Sequence, residues 1–178
     1  MIDNMIDNMI DKLSITKYNP TDRSSEGIYL KEEWTSISDI GKFFNDNLFT
    51  EEEYLRIEKK YIQSIFLIID YFEVEEIRIQ NVYKYTNKKW LKNNKQVDLS
   101  KFHNILHSGM IIGINRIFEI EKAIKIALRE IASLEIEINP LTKITFGYDY
   151  YMYLEFSKSN QELSSLEEKI KDLGLFIT

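Results

Sequence analysis

Between Leu134 and Phe156 the sequence reads LEIEINPLTKITFGYDYYMYLEF, and its alternation confines what the chain can build. Successive side chains of a strand point to opposite faces, so parity separates two surfaces. From Thr142 to Phe156 the even positions are Thr142, Ile144, Phe146, Tyr148, Tyr150, Met152, Leu154 and Phe156. All but Thr142 are apolar or aromatic, which predicts a buried face. The odd positions are Lys143, Thr145, Gly147, Asp149, Tyr151, Tyr153 and Glu155, which predicts a wet one. Upstream, Leu134, Ile136 and Ile138 alternate with Glu135, Glu137 and Asn139. Two period-two runs joined at Asn139-Pro140-Leu141 predict a β-hairpin over about 133–156. Pro140 has no N–H to give a ladder and suits the turn. Gly147 marks a bulge or a close approach of other atoms.

The wet face carries the first candidate site. Tyr151 and Tyr153 fall there beside Asp149, with Glu135 and Glu137 on the neighbouring strand. Tyrosine combines a rigid apolar body with a polar tip, and such clusters centre protein interfaces. The alternative is that another element of the chain covers the tyrosines and buries the sheet on both sides.

Helix signals surround the hairpin. Thr50-Glu51-Glu52-Glu53 is a capping box, and it opens an amphipathic stretch running to about Tyr71. Residues 114–131 repeat Ile117, Ile120, Ile124, Leu128 and Ile131 at helical spacing, with Glu121 and Lys125 as an i,i+4 pair. A second capping box at 159–162 precedes Leu163, Leu166, Ile170 and Leu173, and Gly174 stands where a helix stops. Leu175-Phe176-Ile177 predicts a last strand, so the C-terminal third reads β-β-α-β. Ile28–Trp34 predicts a strand, and residues 35–44 a short helix capped by Thr35, Ser36 or Ser38. Glu76–Tyr85 predicts a strand with Ile77, Ile79, Tyr83 and Tyr85 on one face. Residues 1–12 repeat a Met-Ile-Asp unit and predict a frayed tail or short helix ahead of one domain over 13–178. The fold class that follows is α+β, an antiparallel sheet covered by helices.

Composition narrows the function classes. With 178 residues, 44% hydrophobic and 13% aromatic, the chain can bury a sizeable core. Cysteine is absent, which excludes disulfides and thiolate chemistry and fits a cytoplasmic protein. No apolar run approaches the roughly 18 residues of a membrane span. A net charge of −6 disfavours generic nucleic-acid binding and favours a basic protein partner.

Three further constellations carry candidate chemistry. His103 and His107 stand at i,i+4 on a helix predicted over 101–107, the spacing of metal ligands, with Asp98 as a third donor; the plainer reading is two histidines sharing a surface. Glu33 and Asp39 flank Trp34 as paired carboxylates, or simply end a strand and open a helix. Tyr83, Tyr85 and Trp90 with Lys88, Lys89, Lys92 and Lys95 form a basic aromatic stretch suited to RNA, or a solvated loop. The glycines are scattered and form no phosphate-binding loop, so no cofactor is implied.

Three strings, EEWTSISDIGKFFNDNLFTEEEYLRIEKKYI at 32–62, ITFGYDYYMYLEF at 144–156 and GLFI at 174–177, resemble small bacterial proteins of the immunity type that partner polymorphic or contact-dependent toxins. The resemblance implies a single cytoplasmic domain that is not an enzyme and neutralises a cognate toxin domain, such as a nuclease, by occlusion. On that reading Asp149, Tyr151, Tyr153, Glu135 and Glu137 are the partner-binding residues.

Overall fold

The computed structural model describes residues 10–84, 103–157 and 163–178. Among them seven strands form one antiparallel sheet in the order β5-β4-β6-β7-β8-β1-β9. Its members are β1 (Ile10–Thr16), β4 (Glu76–Lys84), β5 (Met110–Gly113), β6 (Ala132–Asn139), β7 (Thr142–Phe146), β8 (Tyr151–Ser157) and β9 (Phe176–Ile177). A separate hairpin pairs β2 (Phe43–Phe44) with β3 (Asn47–Leu48). The helices are α1 (Glu51–Tyr71), α2 (Ile117–Leu128) and α3 (Ser164–Asp172). The α+β class and the antiparallel sheet covered by helices are as the pattern predicts. No helix among the described residues is long and apolar enough to cross a membrane.

The core lies between one sheet face and the helices. Ile15, Ile77, Ile79, Ile136, Ile144, Met152 and Leu154 supply the sheet side. Tyr61, Ile65 and Ile68 of α1, Ile120 and Ile124 of α2, and Leu166 and Ile170 of α3 supply the other. Thr50 caps α1 by accepting the Glu53 N–H at 3.2 Å. Glu121 and Lys125 pair at 2.6 Å on the outer side of α2. Gly174 has φ +74° after α3, the left-handed position predicted for it.

One ion pair sits inside this core. Glu58 of α1 accepts from Arg129 Nε at 2.6 Å and Nη2 at 2.8 Å, with both residues buried. The fork-to-carboxylate match satisfies two donors at once and ties the end of α2 to α1.

Several boundaries differ from the sequence expectation. The run 142–156 is two strands, β7 and β8, joined by a turn at residues 147–150. Tyr151 N–H donates to Tyr148 O at 3.1 Å, and both central residues, Asp149 (φ 56°) and Tyr150 (φ 60°), are left-handed. Such a turn matches the twist of a hairpin. Tyr150 takes this conformation, at roughly 1–2 kcal/mol for an L-residue, because its ring is buried against Trp34, Tyr54 and Tyr61. Tyr148, predicted inside, is 89% exposed at the turn.

Residues 28–34 form no strand beyond a single bridge between Arg23 and Tyr29. The predicted helix over 35–44 is a 3₁₀ turn, Ile37–Asp39, capped by Ser36. Helix α2 is shorter at both ends than the predicted 114–131. Tyr83 is exposed because Asn81 (φ 50°) shifts the β4–β6 register and reverses parity beyond Gln80. Residues 10–12, assigned to the tail, are the start of β1 and pair with β8. Residues 1–9 and the capping box at 159–162 lie outside the described residues.

Candidate binding surface

The helices share one face of the sheet, and none among the described residues lies on the other. That second face is ordered by register. Arg78, Glu137, Lys143, Glu155 and Lys12 stand directly opposite one another on β4, β6, β7, β8 and β1. The row therefore alternates in sign across five strands. Its contacts are Arg78–Glu137 at 3.8 Å, Lys143–Glu155 at 3.3 Å and Lys12–Glu155 at 3.6 Å. Glu135, one row away, meets Lys143 at 3.6 Å. Burial pulls the Lys143 ammonium down, and Glu135 and Glu155 more than offset it, so its pKa is raised. Cross-strand opposite charges stabilise a sheet modestly, and like charges there would oppose pairing.

Glu135 and Glu137 thus both lie on this face, as parity predicts, but Glu137 already stands opposite Arg78 and Lys143, and Glu135 meets Lys143 diagonally. They line a cleft of about 260 Å³ together with Asn139, Leu141, Lys143 and Glu155. Leu141 and Ile10 are exposed beside it. The surface is a balanced charge lattice with an apolar edge.

The tyrosine end differs. Tyr151 and Tyr153 are half-buried and stack with ring centroids 6.3 Å apart. Tyr18 stacks on Tyr151 at 5.6 Å, and Arg23 Nη2 donates to the Tyr151 hydroxyl. The 17–34 segment therefore folds over this end and covers Tyr151. Tyr153 lies further out, with Lys12 Nζ 3.9 Å from its ring centre. Gly147 permits this placement: a Cβ there would come within 2.8 Å of the Tyr153 ring. The close approach predicted at Gly147 is thus made by Tyr153, although Gly147 follows the end of β7 and does not interrupt a longer strand. Asp149 is exposed in the turn. Burial holds the Glu130 carboxyl above its ordinary range, and the charges of Asp149 and Asp39 add to the effect.

The other sequence candidates do not converge. Among the described residues around the histidines only 103–105 are helical, and His107 lies beyond them, so His103 and His107 do not share a helical face. His107 is exposed with Nδ1 3.0 Å from Ser108 O, and His103 Nε2 is buried without a partner. Asp98 lies outside the described residues, among which no three His, Cys, Asp or Glu are grouped to hold a metal. Glu33 and Asp39 have separate structural roles. Glu33 accepts from Lys17 at 3.0 Å and Tyr29 at 2.7 Å. Asp39 accepts from the Thr35 and Ser36 N–H groups and from Lys42 at 2.7 Å. The basic aromatic stretch falls outside the described residues except for Tyr83 and Lys84.

Sequence reasoning missed Lys17 and the Glu58–Arg129 pair. Nothing in their local pattern marks them, because their partners are 16 and 71 residues away. No protein-family model matches the chain, and no significant match was found among curated proteins or solved structures.

Proposed function

We propose that the chain is a non-catalytic binding protein of the immunity type, which neutralises a bacterial toxin domain by covering it, and that the helix-free sheet face is its contact surface. One observation carries this reading: the face that no helix among the described residues covers holds half-buried Tyr153 and an open cleft lined by Glu135 and Glu137, with exposed Leu141 and Ile10 at its edge. A flat sheet face with fixed charges offers a rigid template that loses little entropy on docking. Its alternating row selects a partner whose charges alternate in the complementary order, since like charges set opposite one another are penalised. The net charge of −6 favours encounter with a basic protein, and nuclease domains have that character. Tyr153 and Leu141 are the apolar anchors, and the ion pairs form the surrounding rim.

The test is co-expression with the product of the gene immediately upstream. The expected result is a complex that survives gel filtration and restores growth of cells expressing the toxin. Tyr153→Ala combined with Glu137→Arg should weaken that complex by at least about tenfold, the scale of a lost interface anchor. Absence of a complex, or a double variant that binds as the parent does, would remove the proposal.

A further inference from the structure

A second cleft, of about 350 Å³, lies away from the sheet face, between the 17–49 segment and α1. Lys17 lines it beside Glu33, Trp34, Phe44, Phe49 and Arg56. The Lys17 side chain is only 5% exposed. Its Nζ lies 3.0 Å from Glu33 Oε2, and 3.9 Å and 4.3 Å from the ring centres of Tyr18 and Trp34. Other described lysines, such as Lys12, Lys31 and Lys42, extend into water instead. Glu33 is fixed in turn by the Tyr29 hydroxyl at 2.7 Å.

We propose that Lys17 is a covalent capture site for a small, uncharged, hydroxyl-bearing aldehyde or ketone, held in this cleft as an imine. Three features of the geometry converge. Lys17 lines an open volume large enough for a small molecule. A carboxylate stands within hydrogen-bond distance to receive and return its proton. Aromatic walls exclude water from one side of the reacting centre. Burial also depresses the Lys17 pKa, and the charges of Glu33, Glu53 and Asp39 only partly restore it.

The chemistry balances without any further reagent. Glu33 takes a proton from the ammonium, and the freed amine attacks the carbonyl carbon. The C–N bond forms as the carbonyl π pair moves to oxygen, which is protonated from Glu33. The nitrogen then gives up a proton to Glu33, and the C–O bond breaks. Oxygen departs with that proton as water and leaves a protonated imine. Overall, one ammonium and one carbonyl become one iminium and one water.

Ligand class follows from the remaining lining. Glu32 and Glu53 outnumber the cation left over once Lys17 and Glu33 cancel, namely Arg56, so an anionic carbonyl is repelled. These carboxylates and the Asn45 and Asn47 amides suit hydroxyl groups, while Trp34 and Phe44 offer apolar faces to C–H bonds.

Limited treatment of the purified chain with glycolaldehyde and cyanoborohydride at pH 7, read by peptide mass spectrometry, tests the site. Hydroxyethylation at Lys17 is expected to run faster than at the exposed Lys59 and Lys169, since a lowered pKa leaves more of the amine free at pH 7. The rate at Lys17 should rise with a pH midpoint below theirs. Lys17→Arg keeps a cation beside Glu33 and should lose that adduct while leaving the others unchanged. Glu33→Gln should slow Lys17 and displace its pH profile, with circular dichroism verifying the fold. If Lys17 reacts no faster than Lys59 and Lys169, the site does not exist; if Glu33→Gln leaves rate and profile unchanged, the assigned proton transfer is wrong. Should Glu33→Gln fail to fold, the comparison among lysines in the parent chain still decides. Neither result depends on a protein partner, so this site and the sheet-face interface stand or fall separately.

Discussion

The protein handles opposite charges in two contrasting ways. Glu58 and Arg129 face each other inside the core, with both side chains almost fully buried. Arg78, Glu137, Lys143, Glu155 and Lys12 form a row on the open sheet face, in contact with water. The distances differ by about an ångström, but the larger difference is the solvent. In the core, desolvation makes each ion costly unless the other is present. On the sheet face, water screens both attraction and loss. The lesson is that the visually extensive row contributes little to holding the fold, whereas neither half of the hidden pair can be lost without the other.

The sharpest way to break this contrast is Arg129→Ala, which strands Glu58 in the core. It should destabilise the chain by about 3–5 kcal/mol in urea unfolding, the cost of an uncompensated buried charge. A loss under about 1 kcal/mol would mean that water reaches the pair. Replacing both partners, with Glu58→Leu and Arg129→Met, should return most of that stability, because the penalty lies in the orphaned charge. If the double variant is as unstable as Arg129→Ala, then the two hydrogen bonds themselves sustain the α1–α2 contact.

Gly147→Ala gives a middle value on the open face. The new methyl group meets the Tyr153 ring, and overpacking of this kind costs about 1–3 kcal/mol. Should it exceed the loss from Lys143→Ala, ring packing and not charge holds that face. Lys143→Ala is expected to cost at most about 1 kcal/mol, and the difference should shrink further in high salt.

The smallest effect is the pH dependence of the same lysine. The folded Lys143 pKa is raised, so its contribution is complete below the unfolded value of about 10.4 and is lost as pH rises through the folded one. Parent and Lys143→Ala should therefore differ near neutrality and converge in strong alkali. A difference that widens with alkali would reverse the sign assigned here.

Parity made much of the sheet legible before any coordinates. Glu135, Glu137, Lys143, Tyr151, Tyr153 and Glu155 all lie on the predicted side. The turn within 142–156 escaped for a physical reason: it holds four residues, and an even insertion preserves parity on both flanks. It also lacks the Asn-Gly or Asp-Gly pair that normally announces such turns, since Asp149-Tyr150 adopts left-handed geometry through burial of the Tyr150 ring. At Asn81 the opposite occurred. One residue of bulge inverted the pattern, and Tyr83 turned outward. The covering of Tyr151 was illegible because it depends on Tyr18 and Arg23, which lie in a segment without periodicity. The pairing of row members was equally hidden, since opposite charges become a row only once register is fixed.

The position of β1 has a consequence for how the molecule is made. Its hydrogen-bonding neighbours are β8 and β9, so the earliest described strand waits for the latest ones. At about 5–20 residues per second, translation of the intervening chain occupies on the order of ten seconds. During that time Ile10–Thr16 has no partner strand. Sheet closure is then a late, long-range event with a large loop-closure entropy, which slows folding relative to a chain of local contacts. The nascent protein thus has an interval in which this one strand is open to capture by chaperones, by a sister chain through strand exchange, or by proteases.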